Sequence, residues 1–420
     1  MTFAKHDTTV DLIRDRPVWA IRALMLSGGL LGAMALVAIT AVLPKIETAL
    51  AHGPGDGLLI KQLVGIVSLA MVIGAPLAGV LVDRIGLRPT LVASAMVYAV
   101  AGTAGLYLSN LPFLLVSRLF LGMAAAAIQI VSITLINTQL AAPDRAKWIG
   151  WHMAFAMVGT IIVSPIAGLL GELSWRLPFA LYAIGLLIIP VALMNAAFVR
   201  QTIADLPATE AAPSFERRRL LGWFPFHYAL LALFIGGITY VPMIYAPFLL
   251  RQHGMESSTL IALVLTVDSV LGGAMAVLYG RARHYLSAHI AFAVSFAATS
   301  VGTCVAALSS GVGGVVAGMA IFGFGVGWFV ANLLTALAAK VGSAQQGRAT
   351  GYTKAAHFLS APLCVLLMEP LSRRFGPQGV MLAVSATAFA LLLLMLARIA
   401  EARRRNDGIA AARDSTARAA

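Results

Sequence analysis

The chain has 420 residues, of which 60% are hydrophobic and only 11% charged, with a mean hydropathy of +0.89. A water-soluble domain carries about a quarter charged residues, so this composition excludes an ordinary soluble protein. The excess of Lys and Arg (30) over Asp and Glu (17) falls mostly in short connections between apolar stretches, which is a membrane topology signal rather than a nucleic-acid footprint.

Apolar stretches recur along the whole length, and a bilayer core needs about 20 such residues per helical crossing. Stretches such as 177–198 are continuously apolar and do not alternate as barrel strands must, so the crossings are helices. The pattern predicts an all-α membrane protein with twelve transmembrane helices in two pseudo-symmetric six-helix bundles. The crossings fall at 19–44, 58–82, 89–108, 111–139, 146–171, 177–198, 223–250, 258–280, 285–308, 311–338, 348–371 and 377–398. The first crossing is too long and too poorly flanked for a cleavable signal and is expected to remain as an anchor. The domain organisation expected is an N-terminal bundle over 1–199, a cytosolic linker over 200–221 and a C-terminal bundle over 222–400. A basic tail over 401–420 completes it. The linker carries Pro207, Pro213 and Arg217 to Arg219.

With both termini inside, 22 of the 30 Lys and Arg fall in cytosolic segments. This predicts a multi-pass protein with both ends cytosolic, and the high Arg-to-Lys ratio and abundant Ala fit a bacterial source, hence an inner membrane. Two weak repeats support duplicated halves. Asp83-Arg84 and Gly280-Arg281 close the second and eighth spans, and Gly150-Trp151 and Gly351-Tyr352 open the fifth and eleventh. Duplicated bundles around a midplane site are how secondary transporters are built. Cys304 and Cys364 lie in apolar spans without metal-ligand or redox spacing. No H-E-x-x-H, P-loop or nucleophile set in recognised context points to an enzyme.

The connection after the second span reads Gly79-Val-Leu-Val-Asp83-Arg84-Ile-Gly86-Leu-Arg88-Pro-Thr-Leu91. This resembles the signature loop of the major facilitator superfamily, G-x-L-x-D-R-x-G-x-R-x-x-L, in the place that family has it. Gly79 is expected to allow close helix packing and Gly86 a tight reversal. The resemblance implies that Gly79, Asp83, Arg84, Gly86 and Arg88 form a conformational latch. In it Asp83 meets the positive N-terminal end of span eleven, near Arg348 to Gly351, in the outward-facing state. Arg118-Leu-Phe-Leu-Gly122 is similar to the family's R-x-x-x-G. Gly159, Pro165 and Gly168 look like a degraded antiporter motif, and Trp175-Arg176-Leu-Pro-Phe179 resembles the W-R-x-x-F that follows it. The drug:proton antiporter branch is the nearest by resemblance. The sequence departs from it at Ser164, where a glycine is usual, and in having no acid within span one.

The resemblance implies a secondary active transporter moving a small organic solute by alternating access, as a proton-coupled multidrug or metabolite exporter. Proton-linked or facilitated uptake of a small organic solute, anionic or not, is the alternative.

Polar groups inside spans are costly unless satisfied and so mark sites. Arg118 is either a structural arginine or a proton-coupling one. Asp268, the one acid near the middle of a span, either couples protons or forms a structural pair. In span eleven, Lys354, His357 and Ser360 share a helix face, and His357 is a third proton-coupling candidate. Gln129 shares a face with Arg118, Gly122 and Ser132. Tyr240 near Pro242 in span seven and Trp328 with Asn332 in span ten complete the substrate-cavity candidates, together with Gln129 and Lys354. Gly323-Phe-Gly325-Val-Gly327 fits close helix packing better than a nucleotide loop, and His152 fits a satisfied interface residue. The partners implied are a small-molecule substrate, protons and the lipid bilayer. A monomer is expected, with no cofactor, no metal and no nucleic acid.

Overall fold

A computed structural model of the chain describes residues 18–53, 55–140, 142–194, 226–282, 285–340 and 343–419. The 200–221 linker and its arginine cluster lie outside the described residues. Every regular element among the described residues is helical: α1 (Val18–Val37), a 3-10 turn (Thr40–Val42), α2 (Leu43–Leu50), α3 (Asp56–Ile85) and α4 (Leu87–Thr103). They continue as α5 (Leu111–Gln139), α6 (Ala142–Leu173), a 3-10 segment (Leu177–Leu187), α7 (Ile188–Met194), α8 (Phe226–Gln252) and α9 (Ser258–Ala282). The series ends with α10 (Ala288–Leu308), α11 (Val312–Lys340) and α12 (Ser343–Ala419).

Eleven stretches among the described residues are long and apolar enough to cross a bilayer. The last, Ala349–Glu401, has 53 residues. One straight helix of that length would run about 80 Å, far beyond a hydrocarbon core of about 30 Å. It is broken at Gly376, whose φ of 65° only glycine adopts without strain, followed by Pro377 with no N–H to give. The two pieces are spans eleven and twelve, and twelve crossings result. The first crossing likewise is not one rod: α1 ends at Val37 and the chain re-enters a helix at Leu43 with Pro44 in its first turn.

The chain folds into two compact units. Unit one comprises Met1–Ile39, Ile66–Val163 and Arg176–Leu220; unit two comprises Thr40–Gly65, Ser164–Trp175 and Leu221–Ala420. In a bilayer no hydrophobic force drives helix against helix, so small residues that admit close backbone approach decide the crossings. In unit one, α1 carries Gly28, Gly29 and Gly32. A Cβ on each would run into Ser132 and Gln129 of α5 or the backbone of His152 on α6. Gly74 fits against Met123 and Gly122 against Val67 and Ala70, joining α3 to α5. In unit two, Gly323 and Gly327 face Asp268 and Gly272 of α9, while Gly325 faces Ser295 and Thr299 of α10. The glycine run in span ten is thus a packing device on two faces.

Candidate functional site

The signature loop is built as its residues dictate. Gly86 sits at φ 87° between α3 and α4, and its carbonyl accepts Thr90 Oγ1 at 2.7 Å. Arg88 donates to the Leu193 carbonyl at 3.2 Å, fastening the loop to α7. Asp83 and Arg84 are exposed. Gly79 does not behave as expected: a Cβ there would meet nothing within 4 Å. It faces open space in this conformation, and close approach of α3 is made instead by Gly74, a turn and more earlier.

Arg118 is completely buried in unit one. Its Nη2 donates to the carbonyls of Ala101 (3.1 Å) and Gly102 (2.7 Å) in the last turn of α4, where carbonyls lack intrahelical partners. The guanidinium also lies 4.8 Å from the Phe179 ring centroid and 5.1 Å from that of Tyr182. Arg176 plays a parallel part, donating to the carbonyls of Gly105, Leu106 and Leu108 and to Ser109 Oγ. The W-R-x-x-F stretch therefore ties off the end of α4. One arginine holds the connecting loop, and Phe179 packs on Gly105 beneath Arg118. This geometry gives Arg118 a helix-capping role.

The α1 glycines face a polar seam. Ser132 Oγ donates to the Leu24 carbonyl (2.7 Å) and accepts the Gly28 N–H (3.2 Å). His152 Nδ1 lies 2.8 Å from the Met25 carbonyl. Gln129 packs into the notch at Gly32. The Ser132 and Gln129 side chains fill the space left at Gly28 and Gly32, and the His152 backbone fills that at Gly29.

In unit two the structure brings together Tyr240 on α8 and His357 on α12. Their rings lie 5.3 Å apart between centroids and tilted by 47°. Gly236, one turn before Tyr240, makes this possible: a Cβ there would collide with Ser360 Oγ and press on the His357 carbonyl. Phe358 stands edge-on to His357 at 6.0 Å. Lys354, one turn earlier on the same face, is exposed. It forms no ion pair within 4 Å among the described residues.

The other candidates fall elsewhere. Trp328 is 7% exposed, in an apolar cluster with Tyr279 and Ala291. It stands edge-on to Tyr279 at 5.9 Å and stacks on Phe324 at 5.7 Å. Asn332 is fully buried, accepting Tyr279 Oη at 2.7 Å and donating to the Ala288 carbonyl at 2.9 Å. Both side chains pack where α9, α10 and α11 meet, the Trp328 Nε1–H without an acceptor among the described residues. Asp268 is half-buried on α9, its carboxylate accepting Ser269 Oγ at 3.2 Å. It has no cation within ion-pair distance among the described residues. Among those residues no His, Cys, Asp and Glu are grouped to hold a metal ion.

Charged side chains that sequence spacing did not single out meet in unit two. Lys61 Nζ lies 3.1 Å from Glu369 Oε2, both side chains about nine-tenths buried, and Arg373 Nε is 2.9 Å from Glu369 Oε1. The residues are some 300 positions apart, and only a tertiary structure pairs them.

The family model described as Major Facilitator Superfamily matches residues 24–363. The putative metabolite transport protein YyaJ of Bacillus subtilis is 30% identical over 28% of this chain and 27% of its own length. The class B tetracycline resistance protein of Escherichia coli is 31% identical over 37% of this chain and 38% of its own. The class G protein of Vibrio anguillarum is 32% identical over 38% and 40%. The chain thus matches at most about two-fifths of these curated relatives. Solved folds match over nearly the whole chain. The D-xylose-proton symporter aligns with a TM-score of 0.71 at 17% identity, over 90% of this chain and 97% of that one. A point mutant of the nucleoside transporter NupG aligns at 0.68 with 13% identity, over 89% and 99%.

Proposed function

Because the chain belongs to the Major Facilitator Superfamily, and is a multi-pass membrane transporter rather than an enzyme, we propose that it exports a small organic solute in exchange for protons. Export is supported by the antiporter-like run through Pro165 in span five and by the partial likeness to two tetracycline resistance proteins. The excess of Lys and Arg on the Asp83 side of the membrane supports cytosolic termini in a bacterial inner membrane.

The observation that carries the reading is the meeting of Tyr240 and His357 beside Lys354. Two rings tilted by 47° supply an apolar surface with polar edges, and an ammonium one turn away, with no described carboxylate within 4 Å, supplies a charge. That is the make-up of a small-molecule site: mostly apolar, with few directed polar groups. The lysine favours neutral or anionic organic solutes over cations. Asp268 is proposed as the proton carrier, since its carboxylate in the middle of a span is not engaged by any described cation. Asp83 is proposed as the latch of the opposite conformational state.

The test is growth of a drug-sensitive bacterial host expressing the protein, with tetracycline as the first probe and a panel of anionic and neutral antibiotics beside it. Raised tolerance to at least one compound, lost in Tyr240→Ala and His357→Ala at equal expression, is the expected result. Tolerance that both variants retain would remove these residues from the site. A second reading, uptake of a metabolite, is favoured by the likeness to YyaJ. It predicts growth on a sole carbon source instead of tolerance.

A further inference from the structure

At one end of the helices α3 packs on α12 and α6 on α9: Gly65 abuts Pro362, and Gly168 and Gly171 abut Ser258 and its neighbours. All the tight contacts lie inside unit two.

Two carboxylates hold that tight end. Glu172, at the end of α6, uses one oxygen to accept Ser257 Oγ (2.5 Å) and the Thr259 N–H (2.9 Å). Its other oxygen accepts Lys45 Nζ (3.0 Å), which also donates to the Gly171 carbonyl (3.0 Å). Thr259 lies in the first turn of α9, where backbone N–H groups have no intrahelical acceptor and the helix presents its positive end. Glu172 therefore caps a helix that is not its own. A turn below, Ser164 Oγ donates to the Ala262 carbonyl at 3.3 Å. Here the departure from glycine at position 164 adds a bond between α6 and α9.

The second carboxylate is Glu369. It takes Lys61 on one oxygen and Arg373 on the other, while the Lys61 ammonium lies 5.2 Å from the Tyr245 ring centroid and 5.7 Å from that of Phe248. Glu369 and Lys61 line a cavity of about 810 Å³, with Glu47, Arg251 and Ser372 also on its wall. Parting Lys61 from Glu369 would leave a nine-tenths-buried ammonium without its carboxylate, while Glu369 would keep only Arg373. Such a separation is costly unless water reaches both.

We propose that Glu172 on the N-terminus of α9 and Glu369 on Lys61 are two locks that keep this end of the transporter shut. Each opens only when a carboxylate gives up charge-assisted bonds. The proposal rests on the chain being a transporter of this family, and not on its substrate or direction. Both locks couple the same movement: α6 leaving α9 and α3 leaving α12. Losing both locks shifts the balance of closed and open forms by more than losing either.

The experiment is pulsed electron–electron resonance in proteoliposomes, with spin labels on Ala49→Cys and Arg374→Cys after both native cysteines are replaced. Both label sites are exposed and both lie in unit two. The parent should give one short distance. E172Q/E369Q should add a second, longer distance, with the ratio of populations changed about tenfold or more. Glu256→Gln, which neutralises an exposed carboxylate near α9, should leave the distribution unchanged. Should the double variant not survive purification, E172Q and S257A each read a smaller shift in the same direction. A parent-like distribution in the double variant, or in both single variants, overturns the proposal. So does an equal shift in E256Q.

Discussion

The Tyr240 ring and the His357 imidazole meet 5.3 Å apart across the crossing of α8 and α12, at the place where Gly236 lets the two backbones close. Neither residue is near the other in sequence, and the pair exists because one helix lacks a side chain a turn away. If this surface receives the solute, His357→Ala removes half of it while leaving the helix crossing intact. The expected result is an apparent KM raised about tenfold, equivalent to about 1.4 kcal/mol of binding, with expression retained. Lys354→Gln should weaken anionic solutes and spare neutral ones. Transport assays at matched protein level check both, and an unchanged KM in both variants would move the site elsewhere.

Asp268→Asn addresses coupling. The residue is held by Ser269 and by no described cation, so neutralising it breaks no visible ion pair. The variant is expected to fold and to exchange solute down its gradient. It is also expected to lose accumulation driven by an imposed pH difference. Driven transport against counterflow in one set of proteoliposomes separates the two. Intact driven transport would rule Asp268 out as the carrier.

For the loop, Asp83→Asn should leave insertion unchanged and cut the transport rate at least about tenfold, because a carboxylate docked on a helix N-terminus is replaced by a neutral amide. Asp83 is exposed in the present state, so thermal stability of this state should hardly move. A wild-type rate at matched expression would contradict the latch.

Trp328→Ala should act on stability. Its side chain fills a buried cluster with Tyr279 and Ala291, and the resulting cavity is expected to cost about 3 kcal/mol. Trp328→Phe, which keeps a ring against Tyr279, should recover most of it. Thermal unfolding in detergent checks this. Loss of solute affinity at unchanged stability would restore Trp328 to the substrate surface.

Much of the fold was legible in the sequence because its signals are local. Apolar runs set the crossings, Gly86 marked the reversal, and the limits 348–371 and 377–398 separated spans eleven and twelve, with the break found at Gly376. The glycine run around Gly325 was read as helix packing, and α9 and α10 do pack on it. What spacing could not supply was pairing. Gly79 belongs to the recognised loop, yet the close approach of α3 is made by Gly74, since which glycine meets a neighbour depends on helix rotation. Neither Lys61 nor Glu369 was singled out by spacing. Their ion pair joins residues about 300 positions apart. Arg118 was seen as a buried cation, but its acceptors are backbone carbonyls of α4, which no residue type announces.

The central claim is that solute moves outward in exchange for protons. Uptake of radiolabelled solute into everted membrane vesicles tests it most directly, using any compound to which expression confers tolerance. With the vesicle lumen made acidic, the protein should drive accumulation severalfold above control vesicles, and an ionophore that collapses the pH difference should abolish it. Accumulation indifferent to the ionophore, or confined to right-side-out vesicles, would contradict proton-driven export.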